Sequence, residues 1–171
     1  EVVMAAVHKD GSALMFASIS CRGNRQIVLA AVRNDGLALK AASAQLRNDK
    51  EVVVTAVQND ADAMIYATER FLRNKRKMKA VLAANGFALR WTPSRIVDKD
   101  IALAAVSVTG RALCYLSKVW QADSDVVMRA VVANGNVLRS AVSCVGTALQ
   151  YASPECRANK RIVLAALGQD G

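Results

Sequence analysis

The chain writes nearly the same sentence more than once. The stretch "GNRQIVLAAVRND" (Gly23–Asp35) returns 25 residues later as "NDKEVVVTAVQND" (Asn48–Asp60). Sliding the sequence along itself places unit starts at Glu1, Gln26, Glu51, Arg76, Asp100, Asp125 and Arg161, spaced 25, 25, 25, 24, 25 and 36 residues apart. A fixed period in this range means an array of small copies, each leaning on the next. The units are 1–25, 26–50, 51–75, 76–99, 100–124, an irregular 125–160 and a truncated 161–171, together one domain.

Every unit opens with a charged or polar residue and an apolar run such as "VVMAAV", "IVLAAV" or "VVVTAV". Apolar residues at repeat positions 2, 3, 6 and 7 follow the spacing of a helix face rather than the alternation of a strand. Asn24, Asp49, Asn74, Asp98, Asp123 and Asn159 stand two residues ahead of the internal unit starts. There a side-chain oxygen can accept from a free N–H of the first turn. Glycine at position 11 (Gly11, Gly36, Gly86, Gly110, Gly135 and Gly171, with Ala61 the exception) is read as the left-handed residue that ends the helix. The bracketed element is about ten residues long, roughly 15 Å.

Ala at position 13, Leu or Met at 14 and often Ala at 17 form one face of a second helix. Ser18, Ser43, Thr68, Ser117 and Ser153 at position 18 predict its break, and a short helical turn follows. Pro154, directly after Ser153, suits a first helical position. One unit buries too little apolar surface to offset the ordering of its backbone, so units must stack. The expected fold is an all-α solenoid of short helix-turn-helix repeats of about 25 residues. In the irregular unit, "DVVMRAVVANG" is followed by "NVLRSAVSCVG", which fits the first-helix template again, and a local change in superhelix geometry is expected between Asn136 and Gly146.

The recurring pattern "EVV-AAV---G-AL-YAS--LR-D" resembles a tandem helical repeat family catalogued as a domain of unknown function, common in protists and algae. The resemblance covers nearly the whole chain and is weakest from Lys77 to Lys99 and around Asn136. It implies a repeat scaffold with no established reaction and no catalytic residues to carry over.

Chemistry-bearing motifs are scarce. No GxxxxGK[ST] or GxGxxG occurs, and the glycines fall at the repeat period. His8 is the single histidine, and its repeat equivalents Arg33, Gln58, Ala83 and Ser107 mark a solvated position. Cys21, Cys114, Cys144 and Cys156 form no CxxC pair, so no zinc site and no cofactor is expected, and the thiols fit an intracellular, reducing compartment. Cys21 and Cys156 lie in the first and last complete units, too far apart in a solenoid for a bridge. The longest uncharged stretch, Ser140–Pro154, is shorter and more polar than a membrane span. The column Phe16, Tyr66, Trp91, Tyr115 and Tyr151 is expected to pack between units; a base-stacking ladder is the rival reading.

Charge is the one suggestive feature. The net charge is +9, concentrated in "RFLRNKRKMK", with Arg70, Arg73, Lys75, Arg76, Lys77 and Lys79. Lys77 and Lys79 replace apolar template residues, and Trp91 and Pro93 depart from the template in the same unit. These cations and Trp91 are the candidate partner-binding residues. The preferred reading is a non-enzymatic scaffold for protein–protein interaction, an accessory or architectural subunit whose partners present an acidic face. The chain ending after a first helix at Gly171 points to further repeats or a covering partner. The alternative is a basic solenoid binding RNA by its backbone, with anionic lipid headgroups a further target. Against a base-by-base code, Met15, Lys40, Ile65, Arg90 and Cys114 show no regularity. An enzyme is the third reading, and its mark is a pocket that joins several ionisable groups with shifted pKa values.

Overall fold

A computed structural model describes residues 1–137 and 148–167. All regular structure among them is helical. The first helices of the seven units are α1 (Val2–Lys9), α2 (Arg25–Asn34), α3 (Lys50–Asn59), α4 (Lys75–Ala84), α5 (Lys99–Val108), α6 (Ser124–Val137) and α7 (Lys160–Ala166). Helices α2 to α5 have 10 residues each, the length that the start and stop signals bracket. All six expected caps are in place. Asn24 accepts from the N–H of Gln26 and Ile27, Asp49 from Glu51 and Val52, and Asn74 from Lys77. Asp98 accepts from Ile101, Asp123 from Asp125 and Val126, and Asn159 from Arg161.

The second element is a six-residue 3-10 helix: Gly11–Phe16, Gly36–Ala41, Ala61–Tyr66, Gly86–Trp91 and Gly110–Tyr115. Its three-residue turn explains why Gly11 and Leu14, or Gly36 and Leu39, are buried together. It stops where expected. Ser18, Thr68 and Ser153 cap the short helices Ile19–Arg22, Glu69–Leu72 and Pro154–Ala158 by accepting from Cys21, Phe71 and Cys156. Ser117 makes no such bond.

Position 11 departs from the expectation. The first helix ends at position 10 in extended backbone, with φ −146° at Asp10, −137° at Asp35 and −141° at Asp60. The same side chains cap the 3-10 helix, accepting from Ser12, Leu37 and Asp62. The glycine lies inside that helix and takes no left-handed conformation. It is needed for close approach instead. A Cβ on Gly11 would stand 2.4 Å from the carbonyl oxygen of Ala31, and one on Gly36 would stand 2.4 Å from that of Ala56.

Each of the first five units is therefore a first helix, a 3-10 helix and a short turn, and the copies stack in chain order. Successive first helices pack side by side, as do successive 3-10 helices, and the core lies between the two rows. Val28 and Val32 of α2, Leu39 beyond it, and Val53 and Val57 of α3 are fully buried there. Polar ties repeat as well. Asn34 Nδ2 donates to His8 O at 3.0 Å while its Oδ1 accepts from Gly11 N at 2.8 Å. Asn59 does the same to Arg33 O at 3.1 Å and Gly36 N at 2.9 Å. Ser43 N donates to Arg22 O, and Thr68 N to Arg47 O.

The sixth unit corrects a second expectation. Helix α6 runs through Gly135 to Val137, because a glycine with no demand for left-handed backbone is only a weak helix breaker. The expected change of superhelix geometry falls on residues 138–147, outside the described residues. Past them the register resumes on the fifth unit. Ser153 N donates to Gln121 O at 3.0 Å, matching the 3.0 Å of Ser43 to Arg22, and α7 packs against α6.

Candidate partner-binding surface

The basic run divides once it is placed on the fold. Arg70 and Arg73 lie on and just after the short helix Glu69–Leu72, and the four remaining cations belong to α4. Arg73 pairs with Glu69 at 2.6 Å and Lys75 with Asp98 at 2.7 Å, while Lys79 stands 3.9 Å from Asp100. Lys77 occupies the position of buried Val52, Ile101 and Val126. Its ammonium is drawn inward, donating to Asn48 O at 2.5 Å and lying 5.2 Å from the centre of the Phe71 ring. That fixes a positive charge between units, where bare burial would be costly. Arg70 and Arg76 are exposed and form no ion pair among the described residues.

Trp91 is also engaged within the chain. Its Nε1–H donates to Asp62 at 2.8 Å, and the Arg90 guanidinium lies 4.9 Å from the ring centre. Tyr66 and Tyr151 pack against the core as expected of the aromatic column, whereas Phe16 is 83% and Tyr115 43% exposed. The aromatic residues and the basic run do not form one continuous stacking platform.

Sequence reasoning missed a charged row along the N-terminal ends of the first helices. The opening basic residue of one first helix meets the cap or second residue of the next. Arg25 pairs with Glu51 and lies 3.7 Å from Asp49, and Lys99 pairs with Asp125 at 2.7 Å and Asp123 at 3.0 Å. These contacts hold Arg25 and Lys99 more firmly protonated. The Lys75 hydrogen bond and the Ile101 N–H hold the Asp98 carboxyl below its usual range. Burial pushes Asp123 up, but the Val126 N–H and Lys99 outweigh it and leave it low. The signal was present in the sequence as a basic residue one place before most unit starts (Arg25, Lys50, Lys75, Lys99 and Lys160, with Ser124 the exception) and as acids flanking that place in three units, at Asp49 and Glu51, Asp98 and Asp100, and Asp123 and Asp125.

Between adjacent first helices run shallow grooves with apolar floors and charged rims. A groove that spans α2, α3 and α4 holds about 620 Å³, with Val54 and Ala80 on its floor and Arg25, Asp49, Lys50 and Glu51 on its rim. The groove between α5 and α6 holds about 540 Å³ and is floored by Leu103, Ala104 and Met128. Of the thiols, Cys156 is buried and donates to Ala122 O, and burial pushes Cys114 up, away from a nucleophile's range. His8 is exposed, its Nδ1 2.8 Å from Met4 O. No cluster of three or more metal-ligating side chains, and no helix long and apolar enough to cross a membrane, occurs among the described residues.

Comparison with known families gives a repeated match to one sequence family, described as "Domain of unknown function (DUF4116)", over residues 1–47, 24–73 and 98–141, more than half of the chain. The chain belongs to this family. The first two DUF4116 matches overlap, and the three together leave out residues 142–171 and an internal gap at residues 74–97. That gap holds Lys75, Arg76, Lys77, Lys79 and Trp91, so the unusual chemistry sits where the DUF4116 pattern is weakest. No curated protein and no solved structure matches the chain.

Proposed function

We propose that the chain is a non-enzymatic helical-repeat scaffold that binds other proteins, serving as an accessory or architectural part of a larger complex. The observation that carries this reading is a pair of open grooves between first helices. They recur at equivalent repeat positions, with small or apolar floors at Val54, Ala80, Leu103 and Ala104. Apolar floors inside charged rims are the composition of a protein interface rather than of a closed reaction chamber.

RNA binding by the same surface has less support. Of the six cations from Arg70 to Lys79, four face a carboxylate or a carbonyl of the same chain. A polyanion needs several unpaired cations in series.

The test is a photo-reactive amino acid at Leu103, on the groove floor, with Gln45 on an exposed turn as control. A defined cross-linked partner from Leu103 alone, confirmed by a stoichiometric complex of the two purified proteins, is the expected outcome. A protein that remains monomeric and uncross-linked in its native extract overturns the scaffold reading.

A further inference from the structure

The repeat shows what each junction carries at the N-terminal ends of its first helices. Arg25 at the start of α2 meets Asp49 and Glu51 of α3. Lys75 at the start of α4 meets Asp98, and Lys99 at the start of α5 meets Asp123 and Asp125. At the α3–α4 junction the basic member is Lys50, but the two places that should answer it hold Asn74 and Arg76. Both carboxylates are missing at the same junction.

The register that joins Arg25 to Glu51 sets Lys50 across from Arg76, and both side chains are exposed. The neighbouring Lys77 is already satisfied, its ammonium donating to Asn48 O at 2.5 Å, so the open charge at this junction is that of Lys50 and Arg76. Like charges in this arrangement repel, and an anion between them relieves the repulsion.

We propose that this gap docks an acidic segment of a partner protein, whose carboxylate takes the place that Glu51, Asp98 and Asp125 fill at the other junctions. The inference rests on the scaffold reading and names the chemistry of the partner. The groove beside Lys50, floored by Val54 and Ala80 and rimmed also by Arg25 with its paired Asp49 and Glu51, receives an apolar side chain next to that carboxylate. The site therefore selects a Glu or Asp neighboured by Leu or Val.

The flanking charges decide between classes of anion. Asp49 and Glu51 stand on one side of the gap, Asp98 and Asp100 on the other. A nucleic-acid backbone, with a phosphate at every nucleotide, runs into these acids within one or two steps. A protein segment can present one or two carboxylates and then turn away.

The probe is a fluorescent peptide holding two glutamates separated by leucine, with glutamine replacing both glutamates in the control. Binding to the whole chain is followed by anisotropy. Arg76→Glu restores the acid of the template, so it folds, and it fills the gap from within. The expected result is an affinity about tenfold weaker for Arg76→Glu and for Lys50→Gln, little change for Lys160→Gln, and weak binding of the glutamine peptide.

Equal binding of the glutamate peptide by Arg76→Glu and the native chain overturns the proposal. So does tighter, Arg76-dependent binding of a single-stranded RNA 12-mer or of phosphatidylserine vesicles. A partner cross-linked at Leu103 alongside a peptide indifferent to both substitutions sinks the gap site alone and leaves the scaffold reading standing.

Discussion

At the residue scale, two substitutions separate what the repeat needs from what it tolerates. A Cβ at Gly36 would stand 2.4 Å from a backbone oxygen and 3.0 Å from a backbone nitrogen of the next unit, neither of which can rotate away. Gly36→Ala is expected to lower stability by about 2–3 kcal/mol in urea melts, with spectroscopic helicity unchanged below the transition. Lys77 presents the reverse case. It is a cation in a column of buried Val and Ile, satisfied by Asn48 and the Phe71 ring. Replacing a partly buried charge with an apolar side chain of similar length is often neutral or favourable. Lys77→Met should leave the melting temperature unchanged or raise it, and a loss above about 1 kcal/mol would refute that account of Lys77. The glycine column was visible in the sequence, but its reason was not. Close approach of a neighbouring carbonyl is a tertiary fact, whereas the left-handed helix stop is the local explanation that sequence offers first.

At the element scale, the first helices of the regular units were legible, and the sixth, which runs on to Val137, was not. Period and Asx caps each marked the same ten residues, and six caps out of six make the bond. The second element was located correctly, but its 3-10 pitch was not recognised, because Ala13, Leu14 and Ala17 also fit one face of an α-helix. The clue lay in positions 11, 14 and 17, three apart, and in Asp10, Asp35 and Asp60 just ahead of them. The caps carry a pH signature. The folded-state carboxyls of Asp98 and Asp123 lie below their ordinary value of 3.8. A depressed carboxyl stabilises the fold above its unfolded value and loses that contribution as the pH falls through it. The melting temperature should therefore drop between about pH 5 and pH 3. Asp98→Asn with Asp123→Asn should flatten that drop, since an amide oxygen still caps the helix but does not titrate. An unchanged slope in the double variant would assign the acid sensitivity elsewhere.

At the scale of the whole molecule, the stack makes stability a sum over junctions, and the sequence period announced this from the start. The candidate site was only half legible. The run from Arg70 to Lys79 stood out as composition, but which cations remain unpaired depends on acids 20 or more residues away, such as Asp98 and Asp100. Interchangeable junctions predict that a chain lacking residues 26–50 still folds. In it Asn59 takes over the bonds that Asn34 makes to His8 O and Gly11 N, and Arg25 leads directly into Glu51. Circular dichroism should show native helicity per residue with a lower but cooperative melt. A chain lacking residues 26–45, which loses the register, should fail to fold. Equal behaviour of the two deletions would contradict the stacking account.

The contact between glycine and the following carbonyl has one more consequence. Gly11 and Gly36 each impose a requirement on the copy that comes after them, and the matching asparagine is carried at the same place in that copy. Donor and recipient of such a junction are thus inherited together whenever a whole period is duplicated. Such a gene can grow by replication slippage, in any frame of the period, and each new copy arrives already fitted to its neighbours.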